Sequence, residues 1–294
     1  MSSLSSSSRT VLGIDAAWTV SQPSGVALVA ETASGWRLVA VEASYHRFLA
    51  QAHGLPPEER PTGSIPDPEA LLASSHTLCG GPVSLVAIDM PIAMTPIVGR
   101  RACDDLVSKT YAARKCGTHS PSARRPGRIS DDLRAGFQAA DYPLLTTTVA
   151  PPGVIEVYPH PALVELANAA ERLPYKASNV AKYWPSATPA QRRGLLCWEW
   201  TRIVQLLENE IAGVAAALPI PTESASRLEL KGFEDQLDAL ICAWVAVCAL
   251  DGRAAPFGDQ ASAIWIPRLG LAVTSSEGGR NARIDNGFAT NEPR

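Results

Sequence analysis

Charge is scarce in this 294-residue chain: 19% of residues are Asp, Glu, Lys or Arg, against 46% hydrophobic. So much apolar material excludes disorder of the whole and suits one large core. Neither sign of charge is in excess. Lys plus Arg is 26 and Asp plus Glu is 29, and a net charge of −3 excludes a chain-wide basic coat of the kind that draws proteins onto nucleic acid. Long apolar runs are missing as well. The longest, such as 239–250 and 85–88, fall short of the roughly 20 residues of a membrane-spanning helix, so no membrane partner is expected. The opening Met1-Ser-Ser-Leu-Ser-Ser-Ser-Ser-Arg9 has no apolar stretch like that of a secretory signal, which points to the cytoplasm. None of the six cysteines (Cys79, Cys103, Cys116, Cys197, Cys242, Cys248) falls in a Cys-x-x-Cys pair. A structural zinc site is therefore not expected, and buried thiols are favoured over bridges. Aromatics make up 6%, and no aromatic strand of the RNA-binding kind is visible. Trp198, Trp200 and Trp244 are assigned to the core, so base stacking is not supported.

What is present reads as an α/β domain over residues 10–272, between a Ser-rich tail at 1–9 and a flexible tail at 273–294. Thr10-Val-Leu-Gly-Ile-Asp15, Gly25-Val-Ala-Leu-Val-Ala30 and Trp36-Arg-Leu-Val-Ala-Val41 read as three closely spaced antiparallel strands. A helix is expected at 68–79, with Pro at its start, followed by a buried strand in Ser84-Leu-Val-Ala-Ile-Asp89. The stretch 92–150 reads as an insertion, with helices at 99–114 and 131–140 joined by a Gly/Ser/Pro/Arg-rich loop at 116–129. Gly153-Val-Ile-Glu-Val-Tyr158 is the fifth strand. Helices follow at 161–172 and 190–217, then one at 233–250 that is apolar almost all round and hence buried. Ser262-Ala-Ile-Trp-Ile-Pro267 offers a final strand.

Several acids stand where a core should be. Asp15 and Asp89 each directly follow an apolar strand. A buried, unpaired carboxylate is costly and needs a partner, an N–H nest or a metal ion, although an Asp at a strand end also serves simply to start a turn. Glu156 lies inside the fifth strand. Asp235 and Asp238 are spaced i, i+3 and share one helix face; acids near a helix start also suit its dipole. Because Asp238 opens a long apolar run, it should face the strand ends that carry Asp15 and Asp89. Carboxylates forced together repel and raise one another's pKa values unless a cation neutralises them. Oxygen-only ligand sets suit Mg²⁺ or Mn²⁺.

Here a resemblance emerges. A strand ending Gly13-Ile-Asp15, a second carrying Gly25-Val-Ala-Leu-Val, a fourth ending Ile88-Asp89-Met-Pro91 and a late helix opening Asp235-x-x-Asp238-Ala-Leu resemble the ribonuclease H-like superfamily. The helix motif is similar to that of RuvC-type Holliday junction resolvases. The chain most resembles the DUF429 family of predicted RNase H-like nucleases. The motifs are Ile88-Asp-Met-Pro, Arg101-Ala-Cys103-Asp104, the Ser120-Pro and Arg125-Pro loop, Glu156-Val-Tyr-Pro159-His160-Pro161, Tyr175-Lys176 and Asp235-Gln-Leu-Asp238-Ala. They span about 11–268. One departure is Ala16-Ala17-Trp18 after the first Asp, where family members often carry Gly. The resemblance implies a mixed five-stranded RNase H-like sheet flanked by helices, with a helical insertion between strands 4 and 5. It implies Asp15, Asp89, Asp235 and Asp238 as metal ligands and Glu156 as a further catalytic carboxylate.

The net charge hides a local imbalance. Residues 100–134 hold nine basic side chains against four acidic, a local +5 that leaves −8 on the remainder. Beside an acidic metal site such a loop suits a phosphate backbone, since Arg offers bidentate contacts; a solvated surface loop is the competing reading. Arg101, Arg125 and Lys176 are the candidate phosphate-binding residues. Arg101 can instead pair with Asp104 at i, i+3. His160, close in sequence to Glu156, is a candidate proton shuttle, or else caps the following helix. The expected function is thus a Mg²⁺- or Mn²⁺-dependent nuclease or phosphodiesterase acting on nucleic acid or another phosphodiester. The alternatives are an ASKHA-type phosphotransferase or ATPase, which needs a second, duplicated core, and a non-catalytic nucleic-acid-binding protein. Oligomeric state, a homodimer included, stays open.

Overall fold

The structure is a computed structural model that describes residues 9–222 and 224–268. Apart from Arg9, which pairs with Glu31 at 2.6 Å and Asp251 at 2.9 Å, the tails expected at 1–9 and 273–294 lie outside the described residues. The chain begins with β1 (Thr10–Asp15), β2 (Gly25–Thr32) and β3 (Gly35–Glu42), then α1 (Tyr45–Ala52), α2 (Pro68–Cys79) and β4 (Leu85–Ile88). The insertion carries α3 (Ala102–Tyr111) and α4 (Arg128–Ala139). It is followed by β5 (Gly153–Val157), α5 (Pro159–Leu166), α6 (Val180–Tyr183), α7 (Pro189–Glu210), α8 (Val214–Ala217), α9 (Arg227–Leu250), β6 (Ala254–Gly258) and β7 (Ala263–Pro267).

The seven strands among the described residues form one mixed sheet in the order β3-β2-β1-β4-β5-β7-β6. β2 runs antiparallel to both β1 and β3, whereas β1, β4, β5 and β7 are mutually parallel. This corrects the five-stranded expectation. β7 occupies the apolar segment foreseen at 262–267, but β6 was not foreseen, because Ala-Ala-Pro-Phe-Gly carries a proline that sequence reasoning counts against a strand. At the sheet edge a missing N–H costs no ladder bond, and β6 is the edge.

Alternation along the strands sends side chains to two separate cores. Val11, Ala27, Leu85, Ala87, Ile155 and Val157 meet α5, α7 and α9, while Leu12, Ile14, Val26, Leu28, Val86 and Ile88 meet Phe48, Leu71 and Phe137 of α1, α2 and α4. The result is a sheet between two helical layers. α9 is the central helix. Its Ser226 hydroxyl accepts from the Glu229 N–H at 3.2 Å while the Glu229 carboxylate accepts from the Ser226 N–H at 2.6 Å, a reciprocal cap that starts the helix six residues before the apolar run at 233. It lies backbone-close on the sheet: a Cβ at Gly13 would stand 2.1 Å from the Ala239 carbonyl oxygen, and one at Gly25 2.0 Å from that of Asp235.

Other expected boundaries shift for local reasons. The helix expected at 190–217 is two, because Ala212 leaves the helix to exchange hydrogen bonds with β3 through Trp36 O (2.9 Å) and Leu38 N–H (3.0 Å), and Gly213 turns at φ 92°. The helix expected at 161–172 ends at Leu166, and α1 was not foreseen. Trp200 and Trp244 are fully buried, but Trp198 is 63% exposed: on α7 the buried positions are 196, 199, 200, 203, 204 and 207, and 198 falls off that face. No helix among the described residues is long and apolar enough to cross a membrane.

Candidate active site

The register of the parallel strands builds the site. Ile14 of β1 pairs with Ile88 of β4, so Asp15 and Asp89, the next residues, stand side by side on strands roughly 4.8 Å apart. The Asp89 N–H donates to the Ile14 carbonyl at 2.9 Å and holds that alignment. α9 crosses the same strand ends, and the close approach at Gly25 brings Asp235 over them. Asp235 and Asp238 are both buried. The four aspartates expected to converge are therefore brought together from β1, β4 and α9.

Their charges act on one another. Burial pushes the Asp15 carboxyl well above its ordinary range, reinforced by Asp238, then Asp235. Asp89 is pushed up to about 8, by burial first and Asp238 second. Asp235 rises to about 6 through burial, with Lys231 pulling the other way. Two lysines supply the counter-charge. Lys176 pairs with Asp238 and lies 3.4 Å from Glu234, and Lys231 pairs with Asp235 one helical turn away. Burial lowers the affinity of Lys176 for its proton, yet Asp238, Tyr175 and Glu234 more than offset this, so it stays charged. The Tyr175 hydroxyl donates to Asp238 Oδ1 at 2.7 Å.

Among the described residues no three His, Cys, Asp or Glu side chains stand in metal-ligating geometry, and the two lysines are the reason Asp235 and Asp238 are engaged. Even so, the donor chemistry fits a hard cation. Asp235 Oδ2 is buried with no hydrogen-bond partner among the described residues, Asp15 lines the same cleft, and Asp89 stands beside Asp15 at the neighbouring strand end; a divalent ion would relieve the repulsion among these carboxylates. Asp15, Asp89 and Asp235 are the residues that would hold it.

Asp15 and Asp235 open on a cleft of about 620 Å³ whose lining also includes Trp18, His119, Arg125 and Lys231. A smaller cavity of about 60 Å³ reaches Asp89, Glu156 and Tyr158, and Trp18 and His119 border both. Sequence reasoning did not single out His119 or Lys231. The i, i+4 spacing of Lys231 and Asp235 was a readable signal; His119, in an irregular loop, carries none.

The remaining expected site residues are placed differently. Glu156 is fully committed to the protein: it accepts from Arg101 at 2.6 and 2.7 Å and from the Ile92 N–H at 2.9 Å. Burial pushes its carboxyl up, against the pull of that guanidinium. Arg101 spends its other donors on Asp104 and the Ile92 carbonyl, which leaves no N–H for a phosphate. Arg125 is exposed at the cleft, 5.6 Å from the Trp18 ring. His160 lies edge-on to Tyr158 and Tyr175 at 5.3 and 5.4 Å, with Nδ1 unpartnered among the described residues. Burial lowers its pKa well below the ordinary histidine range, so the ring is neutral. In the basic segment, Arg100, Arg101, Arg114, Lys115 and Arg128 have carboxylate partners; Lys109, Arg124, Arg125 and Arg134 have none among the described residues.

No curated relative and no solved structure matches the chain. A family model does match, over residues 13–263, a span that runs from the Gly13-Ile-Asp15 strand end through Asp89, Glu156 and both α9 aspartates. The chain belongs to that family, described as protein of unknown function (DUF429).

Proposed function

We propose that this protein is a divalent-metal-dependent phosphodiester hydrolase, a nuclease with an RNase H-like core. The observation that carries the reading is the crowding of Asp15, Asp89, Asp235 and Asp238, from three separate elements, until burial and mutual repulsion raise Asp89 to about 8. The strand order β3-β2-β1-β4-β5, in which β2 alone runs opposite to the rest, supports the RNase H-like part. Mg²⁺ or Mn²⁺ on Asp15, Asp89 and Asp235 would supply an activated water and offset charge on the phosphate. The chain's own groups do the rest. Lys231 and Arg125 face the cleft as phosphate-orienting cations, His119 borders both cavities as a candidate proton donor to the departing oxygen, and Tyr175 with Lys176 fixes Asp238.

Purified protein with Mn²⁺, offered single-stranded, duplex, hybrid and branched substrates, tests this. Cleavage is expected, with a loss of about 100-fold or more in Asp15→Asn. Equal cleavage by the variant overturns the assignment.

A second reading is favoured by the lysine pairs themselves. Lys176 and Lys231 would stand in permanently for the metal ions, leaving a site that holds a phosphodiester without cutting it. Calorimetry with Mn²⁺ separates the two: no heat of binding, alongside intact salt-sensitive binding of an oligonucleotide, selects the non-catalytic protein. The ASKHA alternative requires a second sheet, and the described residues form one.

A further inference from the structure

Behind Lys231, on the far side of the ion pair with Asp235, a second cavity of about 630 Å³ opens between the starts of α7 and α9. Its charged lining is Arg192, Arg193, Arg227, Lys231 and Glu234. Glu234 is already answered, since it accepts from the Ala177 N–H at 2.7 Å and lies 3.4 Å from Lys176. None of the three arginines has a carboxylate partner among the described residues. Arg192 gives two of its nitrogens to the Trp184 and Pro185 carbonyls, and Arg193 gives one to the Ala225 carbonyl at 3.2 Å. Such bonds to neutral carbonyls orient the guanidinium groups and leave their charge uncompensated. Arg227 makes no such bond among the described residues. Three arginines sharing one cavity, with no carboxylate partner of their own among the described residues, repel one another, and a bound anion relieves that repulsion.

Lys231 borders both this cavity and the aspartate cleft. Arg227, Lys231 and Asp235 follow one another at four-residue steps along one face of α9, so the path from arginine cavity to aspartates is roughly 12 Å at 1.5 Å per residue. A lone phosphate cannot span that distance; a chain of linked phosphates can.

We propose that the cavity lined by Arg192, Arg193 and Arg227 is a second phosphate-binding subsite, taking a phosphate group remote from the one held at the aspartates, so that the ligand is a chain of linked phosphates. The inference rests on the phosphodiester reading of the cleft for its biological meaning, but the subsite is measurable without catalysis. Lys231 is the stepping stone, and the substrate class narrows from any phosphodiester to one with phosphates in series.

The test is Arg227→Glu. Arg227 is exposed and unpartnered among the described residues, and an acid in the first turn of a helix is favourable, so the variant keeps its fold. Binding of a labelled short single-stranded oligonucleotide and of inorganic tripolyphosphate is followed across a salt series, with Lys109→Glu as a matched charge change outside both cavities. The expected result is an affinity about tenfold lower in Arg227→Glu for at least one probe, with a salt slope smaller by about 1 than that of Lys109→Glu. Whichever probe responds identifies a polynucleotide or a free polyphosphate as the source of the phosphate chain. Equal affinity of the two variants for both probes, or no binding of either probe by the parent protein, overturns the subsite. Hydrolysis of a small phosphodiester with Mn²⁺, measured in parallel, reports on the cleft alone. Its absence, with the Arg227 effect intact, removes the hydrolase and leaves the subsite standing.

Discussion

Arg101 and Glu156, 55 residues apart, meet through two N–H···O bonds of 2.6 and 2.7 Å at the junction between the insertion and β5. The same guanidinium holds Asp104 in the first turn of α3, whose carboxylate also accepts from the Arg101 N–H at 2.9 Å. One side chain thus bolts the insertion to the sheet.

Replacing Arg101 by Leu leaves two buried carboxylates without their cation. The expected loss of stability is ~3–5 kcal/mol, the usual cost of removing one partner of a buried pair. Urea unfolding measures it. A phosphate-binding role would show instead as weakened ligand affinity at unchanged stability, and that outcome would refute the positioning role.

The raised carboxyls predict an unusual pH dependence. Asp15 and Asp89 hold protons in the folded state that the unfolded chain releases near pH 4. Their contribution to stability is complete below that value and is lost as pH rises through about 8. In chelator, the urea midpoint should fall between about pH 5 and 9. Asp89→Asn should flatten the fall and exceed the parent by ~1–3 kcal/mol near pH 8. Parallel profiles for parent and variant would contradict it.

Gly25→Ala places a Cβ 2.0 Å from the Asp235 carbonyl oxygen, so α9 must move off the sheet. The expected cost is ~1–3 kcal/mol of stability, together with loss of Mn²⁺ affinity in protein that is still folded. Gly81→Ala, which meets nothing within 4 Å, is the control. Calorimetry on both variants decides; unchanged Mn²⁺ binding in folded Gly25→Ala would show that the close approach does not set the site.

Where the pattern was strong, the chain could be read directly. Five strands, the Pro68 helix start and the approach of the α9 acids to Asp15 and Asp89 were legible, the last because Asp238 opens an apolar run that must lie buried on the strand ends. β6 was lost to its proline, and the break at Ala212 was invisible because it is made by a tertiary hydrogen bond to β3. The fates of Arg101 and Lys176 were equally hidden. A basic residue beside an acidic site reads as a ligand for phosphate, and only the packing shows that Glu156 and Asp238 already occupy these two.

Tyr175, Lys176 and Ala177 are consecutive, yet they serve two neighbourhoods. The first two grip Asp238; the third donates to Glu234 and, with Ser178, walls the arginine cavity. Anything that draws Lys176 away from Asp238 must drag that wall with it. Any coupling between the two cavities would run through this segment and, by linkage, would be mutual: whatever a cation at the aspartates does to affinity at the arginines, an anion at the arginines does in equal measure to the cation.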